Sequence, residues 1–189
     1  MKLILIMAMT ADGIIGRTNH HFPNWTCSED KRMFKSVSQK AGVVVMGSRT
    51  FDTIGRALPG RLNVVMTRRP EQYESAENLV FWSGSPRSLL EDLNSKGFET
   101  VVLAGGATIN SLFAREGLID ELYLTIAPQL FGQGLSLFAE SLDVDLELLE
   151  VRCLQAQTIL LTYRFNYPDT PAVDRSSTSE KSRYGIDTV

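Results

Sequence analysis

The stretch VVLAGGATINSLFAREG, residues 101–117, joins an apolar run, two glycines and a helical pattern in one short segment. Residues 101–104 are continuously apolar, which is typical of a strand that helices cover on both faces of a sheet. After Gly105 and Gly106, apolar side chains recur at helical spacing over about 107–116. The segment therefore predicts a strand, a tight turn and a helix in direct succession.

The same alternation runs through the rest of the chain. Helical patterns at 28–40 and from Pro86 onward separate the apolar runs, and this order predicts an α/β domain with a mostly parallel central sheet and helices on both faces. The run at 146–151 is expected to pair antiparallel with the last run, at one edge of the sheet. The other apolar runs occupy residues 3–9, 43–46, 63–66, 79–82, 122–126 and 159–165.

Composition limits the class of protein. The chain has a net charge of −3 and no cluster of Lys and Arg, which argues against binding to nucleic acid. No apolar run approaches the roughly 18 residues of a membrane span, and the run at 3–9 is better explained as a buried strand than as a signal peptide. The two cysteines lack a metal-ligand or disulfide pattern. We therefore expect a cytoplasmic protein without a metal, a nucleic-acid partner or a membrane partner.

The end of the chain differs in composition from the rest. Of the 189 residues, 168–189 are rich in Pro, Asp, Ser, Thr, Lys and Arg and have no apolar pattern. Such a segment cannot bury enough apolar surface to fold alone. The sequence therefore predicts one folded domain over 1–167 and a disordered tail over 168–189.

Three predicted strands are followed directly by residues that suit a phosphate-bearing ligand. Gly105-Gly106 leaves room beside a helix N-terminus, GSRT at 47–50 offers hydroxyls and an arginine, and TRR at 67–69 offers two further cations. In a parallel sheet these turns share the carboxyl edge, where ligands bind. A tight turn without a ligand and solvated strand ends are the alternatives, since the GxGxxG fingerprint is absent. Three such turns on one edge favour an anionic ligand.

Asp30 lies in the first turn of the first predicted helix, for which Thr26 and Glu29 have the spacing of a capping box. An acid at this position usually complements the helix dipole. If the helix flanks an apolar pocket, Asp30 would instead bind a nitrogen heterocycle and help to protonate it. His20 and His21 are expected to be exposed in a polar loop.

Motifs in the first third of the chain resemble those of dihydrofolate reductases. DGIIGR at 12–17 is followed by Trp25, Asp30 and FK at 34–35, and VMGSRTFDTIGRALPGR spans 45–61. The resemblance covers the whole predicted domain. It implies the α/β fold of that family and NADPH-dependent reduction of 7,8-dihydrofolate.

The second half of the chain is similar to a family that shares this fold. LAGGATINSLF at 103–113, LIDEL at 118–122 and PQLFGQG at 128–134 resemble the reductase domain of riboflavin biosynthesis, as in the C-terminal domain of bacterial bifunctional deaminase-reductases. This resemblance also implies NADPH, but the reduced group is the ribose of a phosphoribosylaminopyrimidine. It makes a homodimer plausible, because those enzymes commonly pair through sheet edges.

The resemblance to dihydrofolate reductases implies a role for each matching residue. Asp30 would hold the amino-pyrimidine edge of a pterin and aid protonation at N5. Thr125 would support Asp30 through a hydrogen bond, and Trp25 would complete the catalytic set from the active-site loop.

For the substrate, Phe34 and Ile54 would sandwich the ring system, and Arg61 would pair with the glutamate α-carboxylate of folate. The implied substrate-binding residues are Ile6, Ala8, Phe34, Lys35, Ile54 and Arg61.

The resemblance implies that the three strand ends described above bind NADPH, with Arg68 as a candidate for contact with its 2′-phosphate. The loop from Ile14 to Trp25 would close over the nicotinamide. The implied cofactor-binding residues are Ala8, Ile15, Gly16, Gly47, Ser48, Arg49, Thr50, Thr67, Arg68, Ala104, Gly105, Gly106, Ala107, Thr108 and Ile109.

Some residues depart from the dihydrofolate reductase pattern. Asn24 separates Pro23 from Trp25, and Ala104 and Asn110 replace larger side chains. Three hypotheses follow: reduction of dihydrofolate, which we favour; reduction of 5-amino-6-(5-phosphoribosylamino)uracil or the related diaminopyrimidine; and a non-catalytic NADPH-binding module.

A phosphorylated pyrimidine would need cations near the mouth of the pocket. The sequence offers Lys35, Arg56 and Arg61 for that purpose.

Overall fold

The computed structural model describes residues 1–18, 21, 24–155 and 157–168. The predicted tail lies outside the described residues from 169 onward, and so does His20. The strands are β1 (Lys2–Thr10), β2 (Ile14–Gly16), β3 (Val43–Gly47), β4 (Leu62–Met66), β5 (Leu79–Trp82), β6 (Thr100–Leu103), β7 (Glu121–Ala127), β8 (Leu135–Ser136), β9 (Asp145–Cys153) and β10 (Ile159–Asn166). The helices are α1 (Ser28–Ala41), α2 (Ser48–Ile54), α3 (Pro86–Ser95) and α4 (Ala107–Arg115), with a short 3-10 turn at Pro70–Gln72.

A central sheet organises the molecule, with the strand order β5-β4-β3-β6-β1-β7-β10-β9. The strands from β5 to β7 run parallel, whereas β10 pairs antiparallel with both β7 and β9. The mostly parallel sheet and its antiparallel C-terminal edge are therefore confirmed.

Both faces of this sheet are covered by helices. Along β1, Leu3 and Leu5 pack into one cluster, while Ile4 and Ile6 pack into the other, as alternation along a strand requires. The first cluster includes Phe113 of α4 and the leucines of α3, and the second is covered by α1 and α2. Strands covered on both faces explain why their sequences are continuously apolar.

Two local features differ from the sequence expectations. The small sheet formed by β2 and β8 was not predicted, because a strand of two or three residues leaves no periodicity to detect. The capping box is wrong: Cys27 is the N-cap of α1, and its Sγ accepts a hydrogen bond from the Asp30 N–H. Glu29 instead accepts a hydrogen bond from the Gln155 N–H at 2.9 Å, a contact between distant parts of the chain.

A buried asparagine holds the loop that follows α2. Asn63 on β4 is fully buried; its Oδ1 accepts from the Leu58 N–H, and its Nδ2 donates to the carbonyls of Leu58, Arg61 and Asn78 at 2.9–3.1 Å. Because Leu58 lines the cleft described below, Asn63 positions part of its wall. No helix in the described part of the chain is long and apolar enough to cross a membrane.

We expect Asn63→Ala to lower the free energy of unfolding by roughly 2–3 kcal/mol, because buried backbone groups lose their partners. Urea unfolding monitored by circular dichroism measures this. Asn94→Ala, on the exposed side of α3, is the matched control and should change stability by less than about 0.5 kcal/mol. Equal effects of the two substitutions would contradict the anchoring role of Asn63.

Candidate active site

A large cleft of about 1490 Å³ opens at the carboxyl edge of the parallel strands. Its walls come from the ends of β1, β3, β4, β5 and β6, from the first turns of α1, α2 and α4, and from the segment around β8. This is the edge at which α/β sheets bind ligands. The cleft brings together Ile6, Ala8, Ile15, Gly16, Asp30, Phe34, Gly47, Ser48, Arg49, Thr50, Ile54, Thr67, Arg68, Ala104, Gly106, Ala107, Thr108 and Ile109.

Asp30 supplies the one carboxylate on the wall of the cleft among the described residues. It is 8% exposed, and its Oδ1 accepts a hydrogen bond of 2.7 Å from Thr125 Oγ1. Thr125 is fully buried on β7, opposite Ala8 of β1, so it lies behind the wall and not on it. A buried carboxylate needs such a donor, and here it keeps one oxygen in place while the side chain faces the cleft.

The surroundings of Asp30 are apolar. Phe34 lies one helical turn further along α1, Ile54 ends α2, and Leu58 follows it in the loop. Ile6 and Ala8 come from the neighbouring strand β1. The arrangement is that of a slot for a flat ring, with one charged group to bind its polar edge.

The other half of the cleft is built from two tight turns in contact. The Gly47 N–H donates to the Gly105 carbonyl at 2.8 Å, and Gly105-Gly106 is a cis peptide bond. A Cβ on Gly47 would lie 2.8 Å from Ile109 Cγ1, and one on Gly105, whose φ is +85°, would lie 2.9 Å from Met7 Sδ. The absence of side chains therefore allows the two turns to approach each other.

Donors and cations surround these turns. Gly106 is the N-cap of α4 and supplies no side-chain hydrogen bond, so the N–H groups of the first helical turn have no side-chain cap where residues 106–109 line the cleft. Arg49 Nη2 donates to Thr108 Oγ1 at 3.0 Å, so this guanidinium is held across the gap between α2 and α4. Thr67 and Arg68 follow β4 on the same wall. This donor set suits the phosphates of a dinucleotide.

The loop between β1 and β2 is fastened to the loop after β7. Asp12 accepts hydrogen bonds from Thr10 Oγ1 and from the N–H groups of Phe131 and Gly132, at 3.0 and 2.6 Å for the two amides. These donors lower the pKa of the Asp12 carboxyl below its ordinary value. Asp12 thereby holds the loop before β2, and Ile15 and Gly16 of β2 line the cleft.

Phe131 packs against residues that follow β2 in the chain. The Arg17 guanidinium lies 3.9 Å from the centre of the Phe131 ring, and the Trp25 ring meets it edge-on at 5.4 Å. His21, expected to be exposed, is half-buried: its ring packs on Phe131, and its Nδ1 accepts from the Arg17 N–H. The polar sequence around His21 did not predict its contact with Phe131, because the two residues are far apart along the chain.

Several predicted site residues are not on the wall of the cleft. These are Trp25, Lys35, Arg61, Thr125 and Gly105. Arg61 is 7% exposed and donates to Ser38 Oγ and, from Nε and Nη2, to the Pro59 carbonyl. Burial lowers the pKa of its guanidinium.

Sequence reasoning also missed residues that do line the cleft, among them Lys31, Thr53, Trp82 and Ser83. Helical spacing contained the signal for Lys31, since it lies three residues before Phe34. No group of three or more His, Cys, Asp or Glu side chains in the described part of the chain could hold a metal ion.

The fold and the cleft fit an α/β enzyme that binds a nucleotide beside a small ring. The family model for dihydrofolate reductase matches residues 2–144. The chain belongs to the dihydrofolate reductase family.

Relatives of known name agree with this assignment. Dihydrofolate reductase type 3 of Salmonella typhimurium is 36% identical over 70% of this chain and 76% of its own length. Dihydrofolate reductase of Lactococcus lactis is 32% identical over 75% of this chain and 80% of its own length.

Solved structures show the same fold. Enterococcus faecalis dihydrofolate reductase complexed with NADP(H) superposes with a TM-score of 0.69 at 26% identity, over 88% of this chain and 97% of that one. The deaminase/5-amino-6-(5-phosphoribosylamino)uracil reductase of Thermotoga maritima gives a TM-score of 0.74 at 16% identity, over 87% of this chain and 56% of that one. The second likeness concerns the fold alone.

The lowered pKa of Asp12 gives a pH-dependent prediction. Because the folded-state pKa lies below the unfolded value of about 4, the charged carboxylate stabilises the fold above that value, and this contribution is lost as the pH falls through the folded-state pKa. We expect Asp12→Asn to be less stable than the wild type at pH 7. The difference should shrink steadily in acid.

Urea unfolding over a pH series checks this. Asp143→Asn removes the same charge from an exposed residue and serves as the control. A stability difference for Asp12→Asn that stays constant from neutral to strongly acidic pH would refute the role of the charge.

Proposed function

We propose that this protein uses NADPH to reduce 7,8-dihydrofolate to tetrahydrofolate. The observation that carries the proposal is the placement of Asp30. One oxygen of its carboxylate accepts a hydrogen bond from Thr125, and the side chain lies in an apolar slot next to the turns that suit a dinucleotide. A pterin has an amino-pyrimidine edge with two adjacent N–H donors, which a carboxylate can accept together. The membership of the family supports the same activity.

In this proposal Asp30 has two tasks. It accepts hydrogen bonds from the amino-pyrimidine edge, and its negative charge favours protonation at N5. Thr125 holds the carboxylate in position, while Phe34 and Ile54 pack on the two faces of the ring. The cofactor, when bound, supplies the hydride.

The cofactor half of the cleft fits NADPH by its charge and shape. The contact between the turns at Gly47 and Gly105 brings Gly106 and the start of α4 to the wall of the cleft beside α2, and Arg49 and Arg68 supply positive charge. The amino end of α4 faces the same space, so its N–H groups would bind the pyrophosphate. We assign Arg68 to the 2′-phosphate, since it extends from the end of β4. Ile15 and Gly16 would cover the nicotinamide.

Two observations favour the alternative substrate, a phosphoribosylaminopyrimidine. Arg61, to which the resemblance assigns the glutamate carboxylate, does not line the cleft and already bonds Ser38 and Pro59. Asn110 is fully buried and donates to the Leu137 carbonyl, so it leaves the space near Ala104 open. A ring with a ribityl chain would fit that space.

The deciding experiment follows the loss of NADPH absorbance with purified protein and each substrate in turn. We expect turnover with dihydrofolate. Turnover with only 5-amino-6-(5-phosphoribosylamino)uracil would replace the proposal by the alternative. Binding of NADPH without turnover of either substrate would identify a non-catalytic module.

We expect the affinity of Asp30→Asn for NADPH to stay within about twofold of the wild type. Its kcat should fall by about 100-fold or more, most severely near neutral pH. The reason is that protons are scarce there and the charge that favours protonation is missing. Stopped-flow or steady-state rates over a pH series measure this. An unchanged rate would leave Asp30 as a complement to the helix dipole.

The remaining expectations about partners stay predictions. For homodimerisation, β9 is the surface to test first, since it ends the main sheet and exposes Leu146, Leu148 and Val151. Cytoplasmic location and the lack of nucleic-acid or membrane partners rest on the sequence arguments alone.

A further inference from the structure

The charges on the wall of the cleft are unevenly distributed. Among the described residues, Asp30 is the acid there, and Lys31, Arg49 and Arg68 carry the permanent positive charges. Arg49 contacts Thr108 at the start of α4, and Arg68 follows β4, so both belong to the cofactor half. Lys31 is therefore the one permanent cation that the described part of the chain places on the substrate half.

The position of Lys31 on α1 explains this placement. Residues three apart on a helix share a face, so Lys31 lies beside Phe34, while Asp30 is its immediate neighbour in the chain. All three line the cleft. The Lys31 side chain is exposed and has no ion pair within the part of the chain that the structure describes. Its flexible stem leaves the ammonium group free to meet an anion at the mouth.

The cations that the sequence offered for this purpose are elsewhere. Lys35, Arg56 and Arg61 are all off the wall of the cleft. Arg61 is also buried, and its Nη1, Nη2 and Nε atoms already donate to Ser38 and Pro59. Of these four cations in the described part of the chain, Lys31 is therefore the one that lines the cleft.

We propose that Lys31 is a specificity-determining residue that binds an anionic group carried on the chain attached to the substrate ring. This inference rests on the proposed function, since it concerns the substrate half of the same cleft. A carboxylate and a phosphate share the chemistry that an ammonium group recognises, so the choice between them is left to the experiment.

The first experiment compares Lys31→Met with the wild type at saturating NADPH. The substrates are dihydrofolate and a dihydropterin whose 6-substituent carries no charge. We expect KM for dihydrofolate to rise about three- to fivefold, with kcat within twofold. KM for the uncharged dihydropterin should not change, and Lys31→Arg should restore most of the affinity for dihydrofolate.

The matched control is Arg32→Met, which removes the same charge from the next residue of α1. Arg32 is exposed and off the wall, and its Nη1 contacts Ser28. It should leave both KM values unchanged. Raising the ionic strength should weaken the wild-type enzyme's preference for the charged substrate and leave Lys31→Met unaffected.

The second experiment separates this inference from the proposed function. Calorimetry with bound NADP+ measures the affinity of wild type and Lys31→Met for dihydrofolate and for the phosphorylated pyrimidine. A selective loss with dihydrofolate identifies a carboxylate, and a selective loss with the pyrimidine identifies a phosphate. If Lys31→Met loses affinity in this way but the wild type does not turn over dihydrofolate, the proposed function is overturned and the proposed role of Lys31 is retained.

Three results would overturn the role of Lys31. One is equal effects of Lys31→Met on charged and uncharged substrates, and another is the same effect from Arg32→Met. The third is unchanged affinity for both anionic compounds, including the case in which the wild type binds neither.

Discussion

The hydrogen bond from Thr125 to Asp30 joins the parts of the molecule on which the site depends. It connects the first turn of α1 to β7, which pairs with β1. Burying most of a carboxylate beside apolar side chains is costly unless a donor meets it. Because Thr125 lies opposite Ala8 in the register of these strands, a slip of one residue would turn its hydroxyl to the other face. The position of Asp30 therefore depends on strand register as much as on α1.

A second constraint is the close approach of the turns at Gly47 and Gly105. The space that a Cβ would need is already filled by Ile109 beside Gly47 and by Met7 beside Gly105. Small residues therefore set the distance between α2 and α4, and with it the width of the cofactor cradle. The ring slot and the cradle form one cleft because both begin at the carboxyl ends of neighbouring parallel strands.

Much of the fold could be predicted from the sequence, and the reason is burial. Strands such as β3 and β6 are covered on both faces, so their apolar runs mark them without ambiguity. The glycine turns and Asp30 could also be found, since each stands at a strand end or a helix start. The β2–β8 pair and the contacts of Phe131 could not be predicted, because they join residues distant in sequence through short segments. The N-cap predicted for α1 was wrong, because Cys27 occupies the position that the capping box assigned to Thr26.

The sequence by itself determined the order along the chain of the main-sheet strands and the helices between them, the carboxyl-edge turns and the family resemblance, because these depend on local patterns of burial and on motifs. Only the tertiary structure decided which charged side chains reach the cleft. Arg61 stands in a motif but is buried, and its guanidinium donates to Ser38 of α1 and to the Pro59 carbonyl. Lys31 has no motif, yet α1 presents it to the cleft beside Asp30. The physical reason is that a motif fixes the residue type at a position, whereas the direction of a long cationic side chain follows from the packing around it.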